Sequence, residues 1–390
     1  MNNIRIAVIF ERFGPYHVAR LNECGNHFES IGIELLSKDS IYLWDTVRES
    51  KGFKRITLYE NEIPNNHQLV EKISRLLSSI APDAVAIPGW ALKGCVAAIE
   101  WCCKNNVPIV LMSDSQSIDK ARSSLKEYVK KQIVGLAGAG FVAGSRHVDY
   151  FSELGMPVDR IFQGYDVVDN AHFSFPAKSS GLSQSAQVTR PYFLSVCRFV
   201  SEKNLFFLMD AYAEYLRDTP AKSHDLILAG DGPLKDSLKK HVIDLEIGHR
   251  VHFPGFYQYD QLPALYWGAA AFILPSVVEP WGLVVNEAMA SGLPVLVSNR
   301  CGCVPELVRE GVNGFSFDPT DRAGLKRLLM AFSDGSVDTA AMGQASRRII
   351  ADWSPDTFAR NLLAAAEVAM RNKRKCSFFD RLILKGLIYR

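Results

Sequence analysis

The chain has 390 residues, 48% of them hydrophobic and 22% charged, with a net charge of +2. At roughly 150 residues per domain this is room for two domains with sizeable cores, in the composition range of ordinary globular proteins. It excludes a strongly basic or acidic chain, and no apolar run approaches the roughly 20 residues of a membrane span.

Ile4–Phe10 reads as a buried, central strand. It ends in Glu11-Arg12-Phe13-Gly14-Pro15-Tyr16, with Pro15 placed for the first position of a helix. The loop is not GxGxxG, which counts against a nicotinamide-type dinucleotide site. Strands Ala84–Ile87, Ile109–Met112 and Phe141–Ala143 then alternate with helices such as Gln68–Ser79 and Gly94–Asn105. Alternation of this kind predicts a parallel, doubly wound α/β sheet. Gly89-Trp90 follows the strand Ala84–Ile87, where Trp90 serves either a pocket or the core, and Ser113-Asp114-Ser115 follows Ile109–Met112. Lys120–Lys131 is a basic run broken by Glu127 alone, which suits a solvated face, an anionic lipid or a phosphorylated acceptor. Ser145 is placed as the N-cap of a helix ending at Gly155.

Ser174–Arg190 is Ser-rich, is interrupted by Pro and Gly, and reads as an interdomain linker. The expected layout is a first domain over 1–173, the linker over 174–190, a second domain over 191–355, and a C-terminal helix and tail over 356–390. Past the linker the strand–helix rhythm restarts. Tyr192–Cys197 is a strand, followed by Arg198-Phe-Val-Ser-Glu-Lys203-Asn and a helix to Arg217. Leu226–Ala229 runs into Gly230-Asp231-Gly232-Pro233 and a helix to Glu246. Val251–Phe253 and Ala271–Leu274 continue the sheet. A loop carrying Glu279-Pro-Trp-Gly282 leads into a short helix through Asn286–Ala290, which stops at Ser291-Gly292 before the strand Leu293–Ser298. Glu279 therefore sits at the carboxyl end of a strand, where open parallel sheets bind ligands, and Glu287 on the helix behind it. The backbone N–H groups around Gly282 and Leu283 at that helix start suit a phosphate. Ser354 and Pro355 introduce a helix over Asp356–Arg371.

Residues 371–390 carry +6 against −4 for residues 1–370. Phe378, Phe379, Leu382, Ile383 and Leu387 fall at helical spacing among six of these Lys and Arg residues. That pattern suits an anionic membrane surface, or else a terminal helix packed on the first domain. The eight cysteines form no paired CxxC arrangement. Cys24, Cys95 and Cys197 read as buried free thiols, Cys102-Cys103 as helical, and Cys301-Gly-Cys303 lacks further metal ligands nearby. Ile4–Phe10 is too short for a secretory signal, so a reducing cytoplasm is the expected setting.

Across residues 190–320 the motif E-P-W-G-L-x-x-x-E-A-M-A-S-G-L-P-V, with Gly302, Pro305-Glu306 and Gly311-x-x-Gly314-Phe315, resembles the donor site of the retaining glycosyltransferases of family 4. The resemblance implies a GT-B fold, two Rossmann-like doubly wound domains facing a central cleft, and transfer of a hexose-type sugar with retention. Arg198 and Lys203 resemble the pair that neutralises the diphosphate, whose charge grows as the glycosidic bond breaks. Glu279 would hold the donor sugar's hydroxyls and Glu287 the ribose, since a carboxylate accepts two hydroxyl protons at once. Gly14, Gly230, Gly232, Gly282 and Leu283 complete the donor site, Tyr16, His17, Trp90 and Asp114 fall on the acceptor side, and Tyr16, His17 and Arg20 would line the entrance. Family members often carry a histidine after the strand corresponding to 109–112, where this chain has Asp114. The implied partners are a UDP- or GDP-sugar donor and a glycan or lipid-linked acceptor, with an anionic membrane surface for 371–390 and no nucleic acid. No cofactor is expected and, because the chain contains no D-x-D, no metal. A nucleotide-sugar epimerase of the same fold and a non-catalytic nucleotide-sugar-binding protein are the competing readings.

Overall fold

The computed structural model describes residues 4–37, 50–63, 65–119, 122–174, 190–219 and 222–389. They form two compact units, Met1–Val168 with Ser354–Arg390, and Asp169–Trp353. The first unit is built on β1 (Arg5–Phe10), β2 (Glu29–Leu36), β3 (Lys54–Tyr59), β4 (Ala84–Pro88), β5 (Ile109–Ser113), β6 (Ala139–Val142) and β7 (Ile161–Gln163). Their order is β3-β2-β1-β4-β5-β6-β7 and every pairing is parallel. Because β1 lies between β2 and β4, the chain winds away from it in both directions. The reversal point of the sheet therefore falls between β1 and β4, at whose carboxyl ends doubly wound sheets bind ligands.

The helices follow from apolar spacing and caps. In Asn66–Ile80 the buried residues are Leu69, Ile73, Leu77 and Ile80, one stripe at i, i+4, i+8 and i+11. The Asn65 side chain caps its start by accepting from the Gln68 N–H at 2.9 Å. Truncating one of these leucines to alanine should cost about 2–5 kcal/mol, the lost transfer energy plus the cavity. The helix Pro355–Arg371, capped by Ser354, packs on Pro15–Cys24 and sets Phe358 edge-on to Phe141 with ring centres 5.0 Å apart.

The second unit repeats the plan with β8 (Tyr192–Val196), β9 (Asp225–Ala229), β10 (Val251–Gly255), β11 (Ala271–Leu274), β12 (Val295–Ser298) and β13 (Gly314–Phe317). The order β10-β9-β8-β11-β12-β13 is again all parallel, and its reversal point falls between β8 and β11.

Several expectations change. The units divide at Val168, ahead of the expected 174–190 linker, which lies outside the described residues apart from its two ends. The helix Asn170–Ser174 belongs to the second unit because Asn170 Nδ2 donates to Ile350 O and Trp353 O, and His172 stacks on Tyr259 at 4.0 Å. Gly144, rather than Ser145, is the N-cap of Ser145–Glu153. Cys103 is disulfide-bonded to Cys376, with Cα atoms 5.5 Å apart. Among the described residues no helix is long and apolar enough to cross a membrane.

Candidate functional site

Except for Gly14, which follows β1 in the first unit, the residues read from the sequence as donor ligands lie in the loops after β8, β9 and β11 of the second unit and on the helix that follows β11. After β8 the chain passes exposed Arg198, turns through the short 3₁₀ segment Ser201–Lys203, and enters the helix Leu205–Asp218 from a left-handed Asn204. Lys203 Nζ forms an ion pair and hydrogen bond with Glu279 Oε2, their side chains only 16% and 12% exposed. Burial alone would lower the Lys203 ammonium, but Glu279 outweighs it and the net shift is upward. Ser276 Oγ donates to the same Glu279 oxygen at 3.1 Å. The backbone locks the two loops together, since Val277 N–H donates to Glu202 O at 2.9 Å and Gly302 N–H to Glu279 O at 3.0 Å.

The turn after β9 explains its glycines. Gly230 has φ +140°, and a Cβ there would stand 1.9 Å from the Cys197 carbonyl oxygen. At Gly232 a Cβ would reach 2.7 Å from the Phe199 backbone. The approach is that close because Phe199 N–H donates to Asp231 O at 2.9 Å and Leu234 N–H to Phe199 O at 3.1 Å. Only glycine fits both positions.

Gly282, at φ +109°, starts the helix Leu283–Ala290 next to Glu279. Helix N-termini favour anions. Trp281 is buried, its Nε1–H donating to Asn286 Oδ1 at 2.9 Å and its ring 5.1 Å from Trp353. Glu287 is fully buried, and the Tyr266 hydroxyl donates to its Oε2 at 2.6 Å. The geometry thus gathers Lys203, Glu279, Gly230, Gly232 and Gly282 past the carboxyl ends of the inner strands β8, β9 and β11, with exposed Arg198, while the Glu287 carboxylate lies within packing. Sequence reasoning missed Ser276 and Tyr266, which reach the two glutamates. For the first, the only signal was its place just past the strand Ala271–Leu274.

In the first unit, β1 ends at the loop to Gly14. Gly14 N–H donates to His17 Nδ1 at 3.1 Å, so that nitrogen is unprotonated and the neutral ring carries its proton on Nε2. Burial, then the Arg20 charge, lowers the His17 pKa to about 3. Glu34, fully buried on β2, holds this loop: it accepts from Phe13 N–H at 2.9 Å, from Arg55 at 2.7 Å and from Thr57 Oγ1 at 2.7 Å. Neither Glu34 nor Arg55 stood out in the sequence. Tyr16 and Trp90 are half-buried, Trp90 packed partly against the core. Asp114 follows β5 and is solvent-accessible, yet surrounding atoms desolvate it enough to raise its carboxyl pKa, with His147 opposing. His147 repeats the His17 arrangement, accepting from Gly144 N–H at 3.1 Å. Arg20, expected at an entrance, is instead buried: its Nε donates to Val167 O at 2.9 Å, Asp166 lies 3.3 Å away and the Tyr165 ring 5.4 Å away.

Cys301 and Cys303 are buried in the loop after β12, where Cys303 N–H donates to Trp281 O at 3.2 Å. Among the described residues the one metal-compatible grouping is the partly exposed Glu23, His27 and Asp356.

Two parallel doubly wound domains, each with polar groups at the carboxyl ends of its strands around a reversal point, define a GT-B fold. Solved structures share it. Anabaena HepE in complex with UDP aligns with a TM-score of 0.75 at 19% identity, covering 93% of this chain and 99% of that one. Sucrose-phosphate synthase from Thermosynechococcus elongatus aligns at 0.73 and 19%, covering 93% and 100%. Residues 183–349 match the family model for glycosyl transferases group 1. An uncharacterized glycosyltransferase of Methanocaldococcus jannaschii, MJ1607, is 33% identical over 181 residues, 45% of each chain. The sulfoquinovosyl transferase SQD2 of Arabidopsis thaliana is 33% identical over 194 residues, 48% of this chain and 36% of that protein. The chain thus spans less than half the length of these curated relatives.

Proposed function

We propose that the protein is a retaining glycosyltransferase that moves a hexose-type sugar from a UDP- or GDP-sugar to a glycan or lipid-linked acceptor, at the cytoplasmic face of a membrane and without a metal. The observation that carries this reading is the Lys203–Glu279 pair at the reversal point of the second sheet, beside Arg198. A cation held by a carboxylate is pre-positioned where a diphosphate leaving group would develop charge. When the donor arrives, Lys203 and Arg198 take the diphosphate oxygens, and Glu279 is released toward the sugar hydroxyls. Gly230 and Gly232 keep side chains out of the turn beside them. The departing phosphate accepts the acceptor proton, so no side chain serves as general base. In the first unit the reading assigns the acceptor to the neutral His17 and to Asp114, with Tyr16 and Trp90 beside them.

A thermal-shift screen of nucleotide sugars identifies the donor, since a ligand at 100 times its dissociation constant stabilises by about 2.7 kcal/mol. NMR then follows the slow hydrolysis of that donor by water. First release of the sugar in the donor's own anomeric form supports retention. The opposite anomer would overturn retention, and an epimerised nucleotide sugar with no release would make the protein an epimerase.

A further inference from the structure

The C-terminal helix Phe378–Tyr389 has two apolar faces, and the fold uses one of them. Leu384 and Ile388 are buried in the core of the first unit, where the helix packs on Lys93–Asn105. Its start is capped on its own residues: Ser377 N–H donates to Asp380 Oδ2 at 2.8 Å, and Asp380 N–H to Ser377 Oγ at 3.2 Å, with Asp380 itself buried. The Cys103–Cys376 disulfide ties the preceding residue to Lys93–Asn105 as well. The helix therefore cannot roll to cover its other face.

That other face carries Phe378 and Phe379, 71% and 75% exposed, with exposed Leu382 and Tyr389 further along. Exposed Arg381 and Lys385 flank them. The helix Ser124–Val134, in contact with this one, adds exposed Leu125 and Tyr128, with exposed Lys126 and Lys131 on the same helix. Among the described residues of the first unit, six of the eight exposed large hydrophobic side chains lie on these two helices. A concentration of that kind marks an interaction surface. Its composition selects the partner. Protein interfaces are depleted in lysine at their centres, whereas aromatic side chains ringed by lysine and arginine match the boundary between lipid headgroups and acyl chains. The segment 371–390 also carries +6 beside −4 for the rest of the chain.

We propose that this face docks the protein on an anionic lipid bilayer, Phe378, Phe379 and Leu382 entering the headgroup–acyl boundary and the basic side chains meeting lipid phosphates. The proposal does not rest on the transfer reaction, because docking and donor hydrolysis are read separately. The test is sedimentation of the full chain with vesicles of phosphatidylcholine mixed with phosphatidylglycerol, against phosphatidylcholine alone. The wild-type protein should pellet with the mixed vesicles and be released by salt. Arg381→Ala with Lys385→Ala should weaken that binding about thirtyfold, from roughly fivefold per basic residue removed. Phe378→Ser with Phe379→Ser should abolish pelleting while the melting temperature and donor hydrolysis stay at wild-type values, since both side chains stand in solvent. Failure to pellet at low salt would overturn the proposal. So would unchanged binding by the phenylalanine variant, or loss of binding with a concentration-dependent dimer joined through this face.

Discussion

Lys203 and Glu279 stand 76 residues apart in sequence and meet as an ion pair where β8 and β11 end. Both side chains are largely enclosed, so removing one leaves the other as a poorly solvated charge. We predict that Lys203→Met and Glu279→Gln each lower stability, and that the double variant loses less than their sum. The coupling should be about 1–3 kcal/mol by urea denaturation, typical of groups in direct contact. Strict additivity would mean that the pair does not persist in solution.

Glu279 and Glu287 differ in exposure and in partner, so their substitutions should differ in effect. Glu279 is bound by Lys203 and Ser276, whereas Glu287 is fully buried against the Tyr266 hydroxyl. Glu279→Gln should leave affinity for the free nucleoside diphosphate near wild type and weaken the nucleotide sugar. Glu287→Gln should weaken both, and Tyr266→Phe should reproduce part of that loss if the hydroxyl positions the carboxylate. Calorimetry with each ligand separates the cases; identical losses for Glu279→Gln and Glu287→Gln would refute the division of roles.

How much of this was legible beforehand depends on what sets each feature. β1, β4, β5, β8, β9 and β11 are nearly continuous apolar runs, as strands buried on both faces of a parallel sheet must be. β2 was missed because Glu29, Gly32 and Glu34 punctuate it, and Glu34 is tolerated there only because Arg55, Thr57 and the Phe13 N–H satisfy it. β3, Lys-Arg-Ile-Thr-Leu-Tyr, is an edge strand without such a run. Arg198, Lys203 and Glu279 could be placed at strand ends from local pattern alone. The burial of Glu287 could not, since Tyr266 comes from a different helix. Nor could the Cys103–Cys376 bond, which spans 273 residues and leaves no trace in spacing.

The half-buried His17 of the first unit gives a pH prediction. The folded pKa of His17, about 3, lies below its ordinary value of 6.5, so on acidification the unfolded chain takes up the proton first. The contribution is therefore complete above pH 6.5 and is lost progressively down to about pH 3. His17→Gln keeps an acceptor for the Gly14 N–H but does not titrate. Over that window its stability should fall less steeply than the wild type's, by at most about 1.4 kcal/mol per pH unit. Equal slopes would show that the ring is already protonated in the folded protein.

The turn after β9 should be intolerant of a side chain. Gly230→Ala sets a methyl group 1.9 Å from the Cys197 carbonyl oxygen at a φ of +140°. Clash and backbone strain together should cost roughly 3 kcal/mol or more. A urea midpoint equal to that of the wild type would show that the loops after β8 and β9 are not joined as described.

The most direct test of the proposed donor site is turnover. Release of UDP or GDP from its nucleotide sugar is followed in the wild type, in Lys203→Ala and in Arg198→Ala, with urea denaturation confirming that each variant is folded under assay conditions. Loss of one preorganised transition-state donor costs about 2.7 kcal/mol, so each variant should turn over about a hundredfold more slowly. A folded Lys203→Ala variant that releases nucleoside diphosphate at the wild-type rate would contradict the account.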